Sequence, residues 1–185
     1  MGTRHTINNV QTATLEDIKT HLNQFLVTAA STDHAYKKPS AVLAMDHLQN
    51  DVLPNTDLPL HIVTKKMAGA IVHTNTLCIA APQVGYQYQI LVINRLGELT
   101  WIINPVLLPL PFYTTAAKEV ISHETSTLYP GAPSVDVIRH SKILVRGMLE
   151  DWNEFNEFLY DEVAICVQGA IQLMEGMTVY DLQTK

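Results

Sequence analysis

The sequence has few basic residues. Its 185 residues include 12 Lys and Arg against 18 Asp and Glu, which gives a formal net charge of −6. A protein that grips nucleic-acid phosphates needs an excess of positive charge on the face that contacts them. The composition therefore argues against a nucleic-acid partner.

Long apolar runs and cysteines are also scarce. The longest apolar runs, residues 106–111 and 163–167, are much shorter than the roughly 20 residues that cross a bilayer, and residues 1–5 do not begin a secretory signal. Cys78 and Cys166 are too few for a disulfide framework and lack C-x-x-C spacing. We expect a protein of a reduced compartment, the cytoplasm, with no membrane partner.

An apolar stripe near the N-terminus predicts a helix. Its members recur at spacings of three and four: Leu15, Ile18, Leu22, Phe25, Leu26 and Ala29. The polar stretch 31–41 that follows is typical of a linker. We therefore divide the chain into an N-terminal helix and linker extension, residues 1–41, and a main domain, residues 42–185.

The main domain mixes strand and helix patterns. Helices are predicted over 61–73 and 161–175, and strands over 89–94, 101–105, 119–123 and 141–148. Asp161 and Gly176 are expected to cap the last helix, which is apolar on nearly every side and should be buried centrally. The pattern predicts an α+β fold with mixed or antiparallel strands around a buried C-terminal helix.

Three segments in register resemble the peptide deformylase family. Residues 76–85 (TLCIAAPQVG) are similar to its G-x-G-φ-A-A-x-Q motif, and residues 124–131 (ETSTLYPG) to its E-G-C-L-S-x-P-G motif. Residues 168–176 (QGAIQLMEG) take the place of Q-H-E-x-D-H-L-x-G. The resemblance implies a peptide-deformylase-like fold. In that family the Cys and the two His hold a divalent metal, and the Glu is the general acid and base.

This chain differs from the family at the positions of the metal site. The Cys, first His, Glu and second His are replaced by Ser126, Gly169, Ala170 and Leu173. Serine is a poor ligand and the others have no side-chain donor, so we expect no metal, no cofactor and no catalytic residue. This predicts a pseudoenzyme rather than an enzyme, with its former pocket filled by side chains such as Leu173 and Met174.

Gln83 matches a residue whose amide, in the family, stabilises the developing oxyanion. In this chain it is expected either to satisfy buried backbone groups or to keep a binding role. Glu124 and Arg139 also match the family, and we expect them to form a salt bridge that braces the loop holding Ser126.

Other catalytic patterns are weak. No two of the eight histidines are within five residues, so no H-x-x-x-H pair exists. Ser126 lacks an obvious base, because His123 should point to the opposite face of its strand. Cys78 and Cys166 come together if the first and third motifs adjoin, but each is expected to be a buried small apolar residue.

An acidic segment near the C-terminus carries aromatic residues. Six Asp and Glu lie between residues 150 and 162, interleaved with Trp152, Phe155, Phe158 and Tyr160. Either this is a solvated hairpin whose alternate side chains face the core, or it is a docking surface with aromatic anchors and an acidic rim. On the second interpretation, Lys37 and Lys38 of a neighbouring copy could meet it.

These observations lead to one main functional hypothesis and two alternatives. The main hypothesis is a structural or assembly module that binds protein partners or further copies of itself in a larger complex. A phage particle is a candidate setting, since the family is also encoded by bacteriophages. The alternatives are a metal-independent binder of N-terminal peptide segments or ribosome-associated factor, and a redirected hydrolase.

Overall fold

A computed structural model describes residues 26, 35–56, 58–108, 110 and 117–182. Within these residues the helices are α1 (Met45–Gln49), α2 (Leu60–Thr74) and α3 (Asp161–Met174). The strands are β1 (Cys78–Ala80), β2 (Ile90–Arg95), β3 (Glu98–Leu108), β4 (Glu119–Glu124), β5 (Val135–His140), β6 (Lys142–Met148) and β7 (Glu154–Tyr160). One antiparallel sheet has the order β1-β2-β3-β6-β7, and β4 and β5 form a second, two-stranded sheet.

Strand β2 is buried on both faces. Ile90 and Val92 belong to the apolar core shared with α2, whereas Leu91 and Ile93 belong to the core shared with α3. Successive side chains of a strand point to opposite faces, so a strand covered on both sides needs a continuous apolar run. The five-stranded sheet therefore lies between α2 and α3.

Helix α3 lies between the two sheets. It packs against the five-stranded sheet on one side and contacts β5 on another, which explains why it is apolar almost all the way round. Gly176 follows it with φ +91°, and a Cβ there would come within 2.7 Å of the Lys37 carbonyl oxygen. Central burial of this helix, its ending at Gly176 and the α+β class are confirmed.

Most predicted elements of the main domain are present. The predicted helices correspond to α2 and α3, and the predicted strands to β2, β3, β4 and β6. Strand β5 was not predicted: Pro130 and Pro133 indicate a loop over residues 129–133, and residues 134–140 received no assignment. Asp161 is not the N-cap: it lies within the first turn, and its amide donates to the carbonyl of Ser141 at 2.8 Å.

The predicted linker is wrong for its second half. Tyr36 is 2% exposed and packs with Leu128 and Leu173, and the Ser40 amide donates to the Met174 carbonyl at 2.7 Å. Packing onto the domain therefore begins before residue 42. The predicted N-terminal helix lies outside the described residues except for Leu26, which contacts the core beside α2. The division into two parts stays a prediction.

Among the described residues, no helix combines the length and the hydropathy needed to cross a membrane.

Candidate functional site

A cleft of about 660 Å³ lies between β4 and α3. Its lining includes all five positions that the sequence singled out: Gln83, Ser126, Gly169, Ala170 and Leu173. Three segments far apart in sequence thus meet at one site. The family motifs predicted this meeting, but the expectation that side chains fill the pocket is wrong.

The cleft stays open because of where the replacement side chains go. Gly169 and Ala170 place little or no side chain in it. Leu173 packs against Tyr36 and Leu128 at the end of the cleft, and Met174 belongs to the core beneath α3. Leu173 therefore packs against the N-terminal segment and Met174 against the sheet, and they do not pack against each other in the cleft.

Gln83 joins two walls of the cleft. It lies in a 3₁₀ turn, Ala81–Val84, and its Oε1 accepts a hydrogen bond from the Ala80 amide at 2.8 Å. Its Nε2 donates to Thr127 Oγ1 at 3.0 Å, in the loop after β4. The carbonyl end is held by backbone, as one of the two expected roles requires, while the amide nitrogen is directed at the cleft wall.

Glu124 and Arg139 form the expected salt bridge. Arg139 is 1% exposed, and its Nε and Nη2 donate to the two Glu124 carboxylate oxygens at 2.7 and 2.8 Å. Its Nη1 donates to Gln172 Oε1 on α3. A bidentate arginine of this kind fixes both distance and orientation. It therefore ties the end of β4, just before Ser126, to helix α3.

Gln168 makes a second link between α3 and the small sheet. Its Oε1 accepts from the His140 amide at 3.1 Å, and its Nε2 donates to the His140 and Ala164 carbonyls at 2.8 and 2.9 Å. The Gln168 side chain is 5% exposed, so these bonds satisfy its own buried amide.

Cys78 and Cys166 are joined in a disulfide on the lining of the cleft. The bond links β1 to α3 across a sequence separation of 88 residues, with the Cα atoms 6.2 Å apart. The prediction of two unbonded apolar cysteines is therefore wrong. The sequence signal was present, since adjoining first and third motifs bring these positions together.

The residues at the family's metal-binding positions do not fit a divalent ion. Ser126 Oγ accepts a hydrogen bond from the Leu128 amide at 3.3 Å, and the other positions carry no side-chain donor. The Cβ position of Gly169 faces Arg139 Nη2 at 3.3 Å and Glu124 Oε2 at 3.8 Å. Within the described residues, no three His, Cys, Asp or Glu side chains are grouped as a metal site. We therefore assign no metal-dependent step to this cleft.

Strand β4 forms one wall of the cleft along most of its length. Residues 120–127 line it, and among the described strands β4 pairs only with β5. Its other edge faces the cleft. Sequence reasoning identified the strand from its alternation but missed this edge as a functional feature, because the partner of an edge depends on tertiary packing.

Of the four aromatic residues proposed as a partner surface, one is buried, and for the other three the surface stays a prediction. Phe155 is 2% exposed and belongs to the core beneath α3, so it cannot anchor a partner. Lys142 Nζ lies over the rings of Phe158 and Tyr160, 4.6 and 5.6 Å from their centres. Trp152 lies in the turn between β6 and β7, beside His61 in a separate small cavity. The hairpin interpretation therefore holds for Phe155.

Solved structures of peptide deformylases share this fold. A peptide deformylase from Synechococcus elongatus, crystallised in complex with actinonin, is 20% identical, with a TM-score of 0.70; the match covers 88% of this chain and 80% of that one. The enzyme from Thermotoga maritima is 18% identical over 86% of this chain and 97% of its own, with a TM-score of 0.68. A probable peptide deformylase from synechococcus phage S-SSM7 is 20% identical over 85% and 97%, with a TM-score of 0.66.

The match to a family model is more specific than these likenesses of fold. No curated protein matches the sequence, but the family model for polypeptide deformylase matches residues 36–185. Deformylases are enzymes, and on that finding the prediction that this chain is a pseudoenzyme rather than an enzyme is wrong. Three motif segments meeting at one cleft, the shared fold and a match over most of the sequence lead to one conclusion: the chain belongs to the peptide deformylase family.

Proposed function

We propose that the protein binds the N-terminal segment of a peptide in the cleft, as an extended strand beside β4. The observation that carries the proposal is the edge of β4, which lines the cleft opposite α3. An exposed strand edge is a row of hydrogen-bonding groups that an added strand can satisfy.

The register of the small sheet identifies the groups that a peptide would meet. The Ser141 amide donates to the Lys118 carbonyl, so alternate residues from Lys118 onward bond to β5. Ile121 and His123 are therefore expected to direct their N–H and C=O groups away from β5. Each hydrogen bond from these groups to a peptide would contribute about 0.5–1.5 kcal/mol to its binding.

Gln83 supports the same proposal at one end of the cleft. One of its two amide N–H groups donates to Thr127 Oγ1, and the other can donate to a ligand carbonyl. The structural relatives are named for action on formylated peptides, so an N-terminal formyl group is the ligand carbonyl that we assign to this donor.

Titration with a formyl-Met-Ala-Ser peptide tests the proposal. We expect NMR shifts at Gln83 and along β4, and release of formate measured in the same samples scores turnover separately from binding. Shifts confined to surfaces away from the cleft, or none at millimolar peptide, would contradict the proposal.

Proline at position 121 separates backbone pairing from side-chain contact. The Ile121 N–H faces away from β5, so Ile121→Pro removes a donor to the peptide without removing a bond of the sheet. We expect Ile121→Pro to raise Kd about tenfold, because one hydrogen bond and the space for the added strand are lost. Ile121→Ala, the matched control, should change Kd much less; equal effects would show that the side chain, not the edge, binds the peptide.

The role as an assembly module in a larger complex, and the virion as its setting, stays a prediction that these observations do not address.

A further inference from the structure

A serine, a histidine and an aspartate on the solvent-facing side of the small sheet form a hydrogen-bonded chain, and the histidine also lines the cleft. Ser134 Oγ lies 2.5 Å from His123 Nε2, and His123 Nδ1 lies 2.8 Å from Asp136 Oδ1. The two nitrogens of one imidazole are thus engaged by a hydroxyl on one side and a carboxylate on the other. This is the connectivity that activates a serine nucleophile.

The register of β4 and β5 explains this arrangement. His123 is directly opposite Asp136 in the antiparallel pairing, so their side chains share a face of the sheet. Ser134 comes immediately before β5, two residues from Asp136, and its hydrogen bond to His123 puts it on that same face. The sequence indicated His123 as a possible base but compared it with Ser126, which lies past the end of β4; the correct partner comes from the neighbouring strand.

We propose that Ser134 is a nucleophile for acyl transfer, with His123 as its base and Asp136 as the residue that positions the imidazole. The substrate class is an activated carboxylic ester. Ser134 Oγ forms a bond to the acyl carbon as the bond to the leaving oxygen breaks. The hydroxyl proton passes to His123 Nε2, which delivers it to that leaving oxygen, so the alcohol or phenol departs and His123 is neutral again. Water then hydrolyses the acyl-serine and returns the serine hydroxyl, with the acid as product.

The location gives such a substrate access. His123 lines the cleft, and its side chain and that of Asp136 are 69% and 57% exposed. An ester that arrives from solvent at this exposed face therefore reaches His123 and the neighbouring Ser134 without a conformational change. This inference needs no metal and does not depend on peptide binding along β4.

Covalent labelling tests the nucleophile directly. A fluorophosphonate probe reacts with an activated serine by forming an O–P bond as fluoride leaves, so the adduct can be located by mass spectrometry. Trypsin releases residues 119–139 as one peptide, which holds Ser122, Ser126 and Ser134, and fragment ions distinguish the three. We expect the adduct on Ser134; an adduct on another of these serines, or no adduct, would overturn the proposal.

Variants test the base with a matched control. Ser134→Ala should abolish labelling and the burst of p-nitrophenol from p-nitrophenyl acetate, and His123→Ala should slow both about 100-fold, the lower end of the range for a general base. His61 also pairs with an aspartate, Asp51, but lies on α2, so His61→Ala should leave both rates unchanged. Equal rates in wild type and His123→Ala, with thermal melts showing that both are folded, would overturn the assignment of His123 as the base.

Asp136 requires a readout that a purely structural role would not change. By accepting from His123 Nδ1, Asp136 keeps Nε2 free to accept the serine proton. We expect the ¹⁵N shifts of the His123 ring to show the Nδ1–H tautomer in wild type and to change in Asp136→Asn, together with a loss of labelling rate. Loss of rate without a change of tautomer would contradict the positioning role.

Discussion

The two sides of helix α3 differ in what their side chains do. Gln168 and Gln172 face the small sheet, where they bind the His140 backbone and the buried Arg139. Gly169 and Ala170 line the cleft, where in the family an imidazole and a carboxylate would stand. One side makes polar contacts with the small sheet, and the other carries no side-chain donor at the positions of the motif's ligands.

The side of α3 that faces the small sheet holds the site in place, and we call it the scaffold side. The cleft side determines which chemical groups the site offers. The bonds of Gln168 and Arg139 hold β4 and β5 at a fixed place beside α3, and so they set the width of the cleft. Because the cleft depends on these bonds and not on the missing ligands, it remains open with a different lining. What differs from the family motif is therefore the set of groups that line the cleft, while the shape of the cleft depends on the polar contacts of Gln168 and Arg139.

Removing Arg139 should have the largest effect on stability. Arg139→Ala leaves the Glu124 carboxylate and Gln172 without their buried partner, and we expect the free energy of unfolding to fall by about 3–5 kcal/mol. Urea denaturation measures it. Arg95→Ala is the control, because the Arg95–Glu157 pair is 37% and 49% exposed and should contribute about 1 kcal/mol or less. Equal losses in both variants would show that the scaffold side of α3 does not depend on Arg139.

Reducing the disulfide should have the next largest effect. The bond is the covalent link on the cleft side of α3, and a disulfide typically stabilises a protein by about 2–4 kcal/mol, with long closed segments toward the upper end. We expect dithiothreitol to lower the urea midpoint of the wild type. The Cys78→Ser, Cys166→Ser double variant should start lower and not respond to the reductant; a wild type equally stable with and without it would contradict the prediction.

Gln168→Leu tests the scaffold side with a smaller change. It removes the side-chain partner of the His140 N–H and C=O and covers them with an apolar side chain, at an expected cost of about 1–3 kcal/mol. Hydrogen exchange at the His140 amide should become faster. Gln89→Leu is the comparison, since Gln89 makes a long bond of 3.4 Å to the Ser40 carbonyl, and its loss should cost less. Unchanged, slow hydrogen exchange at the His140 amide in Gln168→Leu would show that β5 is held by other contacts.

The sequence predicted those elements of the fold whose apolar runs are long. Strand β2 and helix α3 are buried on several faces, so their long apolar runs signal them directly, and the three motifs predicted which segments meet. Strand β5, a short alternating run after the proline-containing loop, received no assignment. The linker was misjudged because Tyr36, a single buried ring, holds a segment whose other residues are polar.

The site was harder to predict than the fold, for a physical reason. The replaced positions could be read from the motifs, but whether Leu173 fills the cleft depends on where its side chain finds apolar contacts, and these come from Tyr36 and Leu128. The pairing of Ser134 with His123 likewise depends on the register of two strands. Both are tertiary properties that no local pattern records.

The smallest expected effect is that of removing metal ions. Since the side chains at Ser126, Gly169 and Leu173 do not supply a ligand set, dialysis against EDTA should leave the Kd for the formyl-Met-Ala-Ser peptide unchanged, as isothermal titration calorimetry would show. A Kd that rises with EDTA and recovers with added zinc would mean that the cleft side of α3 binds an ion through groups other than these side chains.

Restoring the ligand side chains of the family motif provides a positive control for the EDTA experiment. In the triple variant Ser126→Cys, Gly169→His, Leu173→His, the new side chains stand at three positions that line one cleft, and zinc prefers thiolate and imidazole ligands. The Cβ added at position 169 must fit 3.3 Å from Arg139 Nη2, which requires a shift of only a few tenths of an ångström. We expect this variant, unlike the wild type, to retain zinc through dialysis, measured by elemental analysis. Retention of zinc would show that the contacts on the scaffold side are enough to preserve the geometry of a metal site. A folded variant that holds no zinc would show that this geometry has been lost together with the ligands.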